Sequence, residues 1–151
     1  MNEALIREFY NPAQTIALIV QEDELFTDIL AKFTEKPYIR GIFVTDRQGK
    51  YSGMIKRDDL LKWAKFKTEH LTGFEDYIRK FSKETKARDL IHEYSEGTTV
   101  KEDDDISRAL GLMFSRDLTD LPVLDKKGKI IGDVTIPELL SKILEITHTK
   151  K

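Results

Sequence analysis

Cysteine is absent from the 151 residues, which excludes disulfides, thiolate zinc sites and a thiol nucleophile. A surplus of one charge is also lacking, because 25 Lys and Arg residues nearly balance 27 Asp and Glu residues. A nucleic-acid-binding protein normally carries a basic excess or a basic stripe, so the balance argues against that function. The longest apolar run, residues 16–20, is far shorter than the ~20 residues that span a bilayer.

Catalytic and metal-binding motifs are missing as well. The histidines at positions 70, 92 and 148 are isolated and lack paired ligand spacing, so no metal site is expected. The chain has no Gly-x-Ser-x-Gly, Walker loop or Gly-x-Gly-x-x-Gly, and we predict that it is not an enzyme. Its first residues do not resemble a signal peptide, so we expect a cytoplasmic protein that does not associate with membranes.

The sequence does contain an internal duplication. Shifted by 79 positions, residues 42–61 fall on residues 121–140 without a gap and agree at seven of twenty positions. Shifted by 81 positions, residues 7–33 fall on residues 88–114, which pairs Ile19 with Val100 and Phe33 with Phe114. This alignment places the two-residue difference in the loop that precedes Ile42. A duplication that covers these ranges predicts two related halves in one chain.

Each half predicts the order β-α-β-β-α. Short strands precede helices of 3.6-residue apolar spacing, and Asp-x-x-Gly-Lys at Asp46 and Asp125 supplies hairpin chemistry. We therefore divide the chain into a first repeat (1–67), an inserted linker (68–86) and a second repeat (87–151). An amphipathic helix is expected in the linker, packed against its own domain. The predicted core of the sheets includes Val44, Ile55, Val123 and Val134.

The doubled order of strand, helix, x-Pro-Val-x-Asp-x-x-Gly-x-x-x-Gly, strand and helix resembles the cystathionine-β-synthase (CBS) domain pair, or Bateman module. Residues 120–140 carry the best match. The resemblance implies an α+β fold in which tandem β-α-β-β-α repeats are related by a pseudo-two-fold axis, with a cleft on each side. It also implies an adenine nucleotide in one or both clefts and assembly into homodimers.

In such modules the binding motif is Gly-h-h-Ser/Thr-x-x-Asp, where the third strand meets the second helix. A helix start offers unpaired N–H groups to a phosphate, and a carboxylate accepts hydrogen bonds from ribose hydroxyls. The second repeat keeps the hydroxyl at Thr135 but has Glu138 in place of Asp. The first repeat keeps the carboxylate at Asp59 but has Lys56 in place of the hydroxyl.

The resemblance implies that each cleft draws on both repeats. One cleft would place Ala17 opposite Thr135 and Glu138. The other would place Thr98 opposite the first-repeat helix start. The full set of candidate nucleotide-binding residues is Lys56, Arg57, Asp59, Thr98, Ala17, Thr135, Glu138 and Arg40. Thr135 and Glu138 also form a capping box, and a carboxylate in a first helical turn stabilises a helix without any ligand.

Two functions follow from these residues. The first is a regulatory module that binds AMP, ADP, ATP or S-adenosylmethionine and signals to an unidentified partner protein, with no obligatory cofactor. The alternative is a ligand-free structural module whose degenerate motifs serve only as caps and whose function is dimerisation. The dimer surface predicted in either case lies on the second helices and comprises Leu60, Leu61, Trp63, Leu139, Leu140 and Ile143.

Overall fold

The computed structural model describes residues 4–8, 10, 18–39, 41–61 and 73–148. Strands and helices follow the predicted order, and the α+β class is confirmed. The first repeat contains β1 (Leu18–Gln21), α1 (Phe26–Glu35), β2 (Gly41–Thr45) and β3 (Tyr51–Lys56). Helix α2 (Phe74–Glu84) lies in the linker. The second repeat contains β4 (Val100–Lys101), α3 (Ile106–Arg116), β5 (Asp120–Leu124), β6 (Ile130–Thr135) and α4 (Ile136–His148).

The two repeats form separate three-stranded sheets of the same topology. In each sheet the first strand pairs in parallel with the second, and the second pairs antiparallel with the third. The four valine and isoleucine residues predicted as core are all fully buried. Because the middle strands carry apolar side chains on the buried face of each sheet, they supply much of the hydrophobic stabilisation.

The hairpins between the second and third strands form as the sequence predicts. The Asp46 carboxylate accepts hydrogen bonds from the backbone N–H groups of Gln48 and Lys50, both at 2.9 Å. Asp125 repeats the arrangement, and these N–H groups lower the pKa of its carboxyl. The following glycines, Gly49 and Gly128, have φ near +80°, which other residues resist.

The register between the first halves of the repeats differs from the sequence alignment by one residue. Val20 pairs with Val44, and Val100 pairs with Val123, so Val20 and Val100 are the equivalent positions. The pairing of Ile19 with Val100 was therefore wrong, as was that of Phe33 with Phe114. Phe33 packs against the core, whereas Phe114 is 91% exposed. Adjacent apolar residues in strand β1 made the two registers indistinguishable from the sequence, although they place opposite faces inward.

Each sheet is completed by the chain segment that leads into the first strand of the other sheet. In the first repeat, three main-chain hydrogen bonds of 2.9–3.0 Å join the acidic turn and the start of α1 to residues 85–88. They are Phe26 N–H to Thr85 O, Ala87 N–H to Glu24 O, and Arg88 N–H to Glu22 O. The compact unit that contains them spans Ala17–Glu96.

The second repeat makes the same three bonds with the N-terminal segment, residues 4–10. They are Ile106 N–H to Ala4 O, Ile6 N–H to Asp104 O, and Arg7 N–H to Glu102 O, each 2.9 Å. This compact unit comprises Met1–Ile16 and Gly97–Lys151. Tyr10 adds a 2.6 Å hydrogen bond to the Glu102 carboxylate. Burial, together with this bond, raises the pKa of Tyr10 to about 12.

Helix α2 packs against α1 of its own compact unit. The Phe81 ring meets the Phe26 ring edge-on, with centroids 5.1 Å apart, and Ile78 packs beside it on the core. Phe26 is fully buried, so this contact closes one side of the first-repeat core. The linker helix therefore has a structural role in the unit Ala17–Glu96.

The second helix predicted for the first repeat is a 3-10 helix in its described part, Arg57–Leu61. Trp63 lies outside the described residues. Leu60 and Leu139, predicted at a dimer surface, are buried in their own units instead, at 4% and 1% exposure. They occupy the core side of their helical turns, a side that helical spacing alone does not identify.

Across the described ranges, none of the helices is long and apolar enough to cross a membrane. The same residues contain no group of His, Asp and Glu side chains that could hold a metal ion.

Replacing Val123 with Asp tests the position of the second-repeat core. Val123 is fully buried in the middle strand, so an unpaired carboxylate there should leave the protein insoluble or unfolded. Phe114→Asp is the matched control, because that side chain is exposed and its replacement should preserve a cooperative thermal transition. A soluble Val123→Asp variant that melts cooperatively in circular dichroism would contradict the assigned core.

Candidate functional site

The candidate site in each repeat is the junction where the third strand passes directly into a helical turn. In the second repeat, β6 ends at Thr135 and α4 begins at the next residue. In the first repeat, β3 ends at Lys56 and the 3-10 helix begins at Arg57. The absence of an intervening loop places the side chains of the strand end and the first helical turn next to each other.

At the second-repeat junction, Thr135 and Glu138 hold each other in place. Glu138 Oε1 accepts hydrogen bonds from the Thr135 backbone N–H at 2.9 Å and from its hydroxyl at 3.0 Å. Thr135 Oγ1 also lies 3.4 Å from the Glu138 N–H. Thr135 is only 5% exposed, and this reciprocal geometry is a capping box. The structure therefore shows that the two residues cap α4.

At the first-repeat junction, Asp59 occupies the position of Glu138. Asp59 Oδ2 accepts a 2.7 Å hydrogen bond from the Lys56 backbone N–H, as Glu138 does from Thr135. Asp59 is 4% exposed, whereas Arg57 and Asp58 beside it are exposed and Lys56 is half-buried. The junction thus combines a buried carboxylate with two cationic side chains at the start of the turn.

His92 is a residue of this junction that sequence reasoning missed. Its Nδ1 lies 3.4 Å from Asp59 Oδ1. His92 belongs to the connecting segment, residues 85–96, which packs on β3 of the first repeat although it leads into β4 of the second. A lone histidine 33 positions after Asp59 forms no recognisable sequence motif with it. Only the observed packing of the connecting segment on β3 identifies the contact.

Main-chain and side-chain hydrogen bonds fix the connecting segment on β3. The His92 N–H donates to the Met54 carbonyl at 2.7 Å, and the Met54 N–H donates to Ser95 Oγ at 2.8 Å. The Tyr51 hydroxyl donates to the Ser95 carbonyl at 2.8 Å, and burial raises the pKa of Tyr51, which keeps this donor protonated.

Gly53 is required for this close approach. A Cβ atom on Gly53 would lie 2.5 Å from Ile91 Cγ2 and 3.2 Å from Ser95 Oγ. Real Cβ atoms essentially never show the shorter contact, so the connecting segment would have to move away from β3 if any larger residue stood here. The motif glycine of the first repeat therefore has a packing role in addition to any role toward a ligand.

The structure groups some predicted site residues and leaves others apart. It brings Lys56 next to Asp59, and it brings Thr135 next to Glu138. Thr98 is 1% exposed and lies two residues before β4, in the unit that contains Gly97–Lys151. Ala17 and Arg40 lie outside the described residues.

The family comparison matches both repeats. The model of the CBS domain matches residues 8–65 and again residues 87–145. A curated relative, an uncharacterized protein of Methanocaldococcus jannaschii, is 26% identical over 147 residues, covering 84% of this chain and 86% of its own length.

Solved structures agree with this match. A CBS domain-containing protein of Thermotoga maritima has a TM-score of 0.74 and 25% identity, with complete coverage of both chains. CBSX2, a CBS-pair protein of Arabidopsis thaliana, was solved in complex with AMP; that complex has a TM-score of 0.71 and 23% identity over 95% of this chain and 98% of its own.

A third structure is the cytosolic domain of the Mg²⁺ channel MgtE in complex with ATP, with a TM-score of 0.64 and 21% identity. It covers 89% of this chain and 46% of that one. Because the family model matches most of the sequence in two consecutive segments, the chain belongs to the CBS domain family and carries two CBS domains.

Proposed function

We propose that the protein is a regulatory module that binds an adenine nucleotide at its strand-to-helix junctions and transmits occupancy to a partner protein. The observation that carries this proposal is the buried Asp59 carboxylate, fixed by the Lys56 N–H beside two cationic side chains. The complexes of CBSX2 with AMP and of the MgtE domain with ATP support the choice of ligand.

The chemistry of the first-repeat junction suits a ribose phosphate. An ionised carboxylate accepts hydrogen bonds from two hydroxyl groups, which matches the 2′- and 3′-hydroxyls of ribose. Lys56 and Arg57 supply positive charge for phosphate oxygens. Since phosphate charge grows from AMP to ATP, this junction should favour ligands with more phosphates.

The second-repeat junction is less suited to a nucleotide. The Thr135 hydroxyl already donates to Glu138, and the same carboxylate oxygen accepts the Thr135 N–H. A ligand would have to compete with the capping box for these groups. We therefore assign AMP, ADP or ATP to the first-repeat junction before the second, with S-adenosylmethionine as the adenosyl alternative that lacks phosphate.

The remaining assignments belong to the same proposal. Thr98 and Ala17 are proposed contacts of the adenosyl group, and Arg40 is a proposed phosphate contact. The proposed role is regulatory rather than catalytic.

A second candidate function is that of a ligand-free dimerisation module. The capping geometry of Thr135 and Glu138 favours it, since those contacts explain both residues without a ligand. The two candidates differ in thermal stability: a nucleotide that binds only the folded protein raises its melting temperature, whereas a scaffold shows no shift.

Dimerisation is compatible with both functions, and its proposed surface is on α4. Leu140 and Leu144 lie four residues apart on one helical face, at 59% and 57% exposure. Leu61, the first-repeat counterpart of Leu140, is also exposed, at 63%. These side chains, rather than the buried Leu60 and Leu139, are the proposed apolar contacts of a homodimer.

Isothermal titration of variants at the first-repeat junction tests the nucleotide proposal. Asp59→Ala should weaken adenosine, AMP and ATP alike, by about 1–3 kcal/mol for a lost hydrogen bond to a charged group. Lys56→Ala should weaken ATP and ADP more than adenosine, because its side chain is assigned to phosphate charge.

Thr135→Ala is the matched control in the other repeat. It should lower the free energy of unfolding by the ~1 kcal/mol of a lost helix cap and leave the affinity of the first-repeat junction unchanged. Equal losses for adenosine, ADP and ATP in Lys56→Ala would refute the phosphate role. No binding of any adenosyl compound by the wild type at millimolar concentration would refute the proposed function.

Sedimentation equilibrium tests the dimer surface. The double variant Leu140→Glu, Leu144→Glu should be monomeric, because it places two charges on an apolar contact. Ser141→Glu, an exposed polar position on the same helix, should leave association intact. A wild type that sediments only at the 17.5 kDa monomer mass at high concentration would exclude the homodimer.

A further inference from the structure

The two junctions hold their carboxylates with different second donors. In the second repeat, the Thr135 backbone and hydroxyl both donate to one oxygen of Glu138. In the first repeat, Lys56 has no hydroxyl, and only its backbone N–H repeats the contact, to Asp59 Oδ2. The imidazole Nδ1 of His92 lies 3.4 Å from the other oxygen, Oδ1. His92 thus places a ring nitrogen beside Oδ1, whereas the Lys56 N–H contacts Oδ2.

The backbone of the connecting segment fixes the position of this imidazole. The His92 N–H donates to the Met54 carbonyl at 2.7 Å, and Ser95 bonds both the N–H and the carbonyl of Met54. The charged residues are Lys56, Arg57, Asp58 and Asp59 at the junction, and Lys86, Arg88, Asp89, Glu93 and Glu96 on the connecting segment. The His92 ring contacts Asp59, whose side chain is 6% exposed, while the ring itself is 33% exposed.

Hydrogen bonds to both oxygens restrict the orientation of a buried carboxylate. The terminal torsion of a carboxylate is broad, which leaves it a rotational freedom that the Lys56 N–H limits at Oδ2. A donor on Oδ1 removes that freedom before a ligand arrives, and preorganisation of this kind increases affinity. The Nδ1–H tautomer of His92 is the form that donates.

We propose that His92 is a positioning residue that orients Asp59 toward the hydroxyls of a bound ribose through its contact with Oδ1. The proposal rests on the nucleotide binding proposed for this junction. In this role His92 affects the recognition of the 2′-hydroxyl of the ligand and not that of its phosphate.

Calorimetric titration with AMP and with 2′-deoxy-AMP tests this role. The wild type should bind AMP more tightly, and His92→Ala should reduce the ratio of the two dissociation constants by about fivefold to tenfold, the effect of one oriented hydrogen bond. His92→Asn should restore the ratio, because its amide nitrogen can occupy the position of Nδ1. Glu93→Ala, at the exposed neighbouring position, should leave the ratio unchanged.

A double variant separates orientation from a general loss of structure. If His92 acts through Asp59, adding His92→Ala to Asp59→Ala should cause no further change in the ratio. Melting temperatures of all variants, measured without ligand, show whether the fold is retained.

If His92→Ala keeps the wild-type ratio of the two dissociation constants, the role of His92 is overturned, whereas the proposed nucleotide binding is not. Failure of His92→Asn to restore the ratio would also overturn it, since the loss would then come from packing and not from the donor. A wild type that binds neither nucleotide overturns both proposals.

Discussion

The structure depends on main-chain hydrogen bonds between each repeat and a segment that leads into the first strand of the other repeat. Three hydrogen bonds join residues 85–88 to the acidic turn and first helix of the first repeat, and three equivalent bonds join residues 4–7 to the second. These groups would cost free energy if they were buried unpaired, so the acidic turns require a partner segment. A single CBS repeat taken from this chain by its sequence boundaries would lack that partner.

This exchange also determines the composition of the candidate site. Because the connecting segment lies on β3, it brings His92 to Asp59 and Ser95 to the backbone of Met54. Gly53 leaves the space for that approach. The segment that leads into the second repeat therefore contacts the proposed ribose-binding carboxylate of the first.

The sequence predicted most of the fold because its signals were local. The Asp-x-x-Gly-Lys turns, the buried valines and the helical spacings each depend on residues close together in the chain. The register of the first strand was wrong because Ile19 and Val20 are both apolar, and only pairing with β2 distinguishes them. His92 was missed because its contact joins residues 33 positions apart through an exchanged segment. Leu60 and Leu139 were assigned to a surface because the apolar stripe of a short helix does not show which part of it meets the core.

The central claim is that a nucleotide binds where β3 ends, and amide hydrogen exchange tests it most directly. With AMP at millimolar concentration, the account predicts slower exchange at the amides of Met54 and Lys56 on β3 and of His92 on the connecting segment, whose ring contacts Asp59. Asp59→Ala should remove that protection, because the ligand loses the carboxylate that fixes it. Unchanged exchange at these three amides in the presence of saturating AMP, ADP, ATP and S-adenosylmethionine would contradict the account.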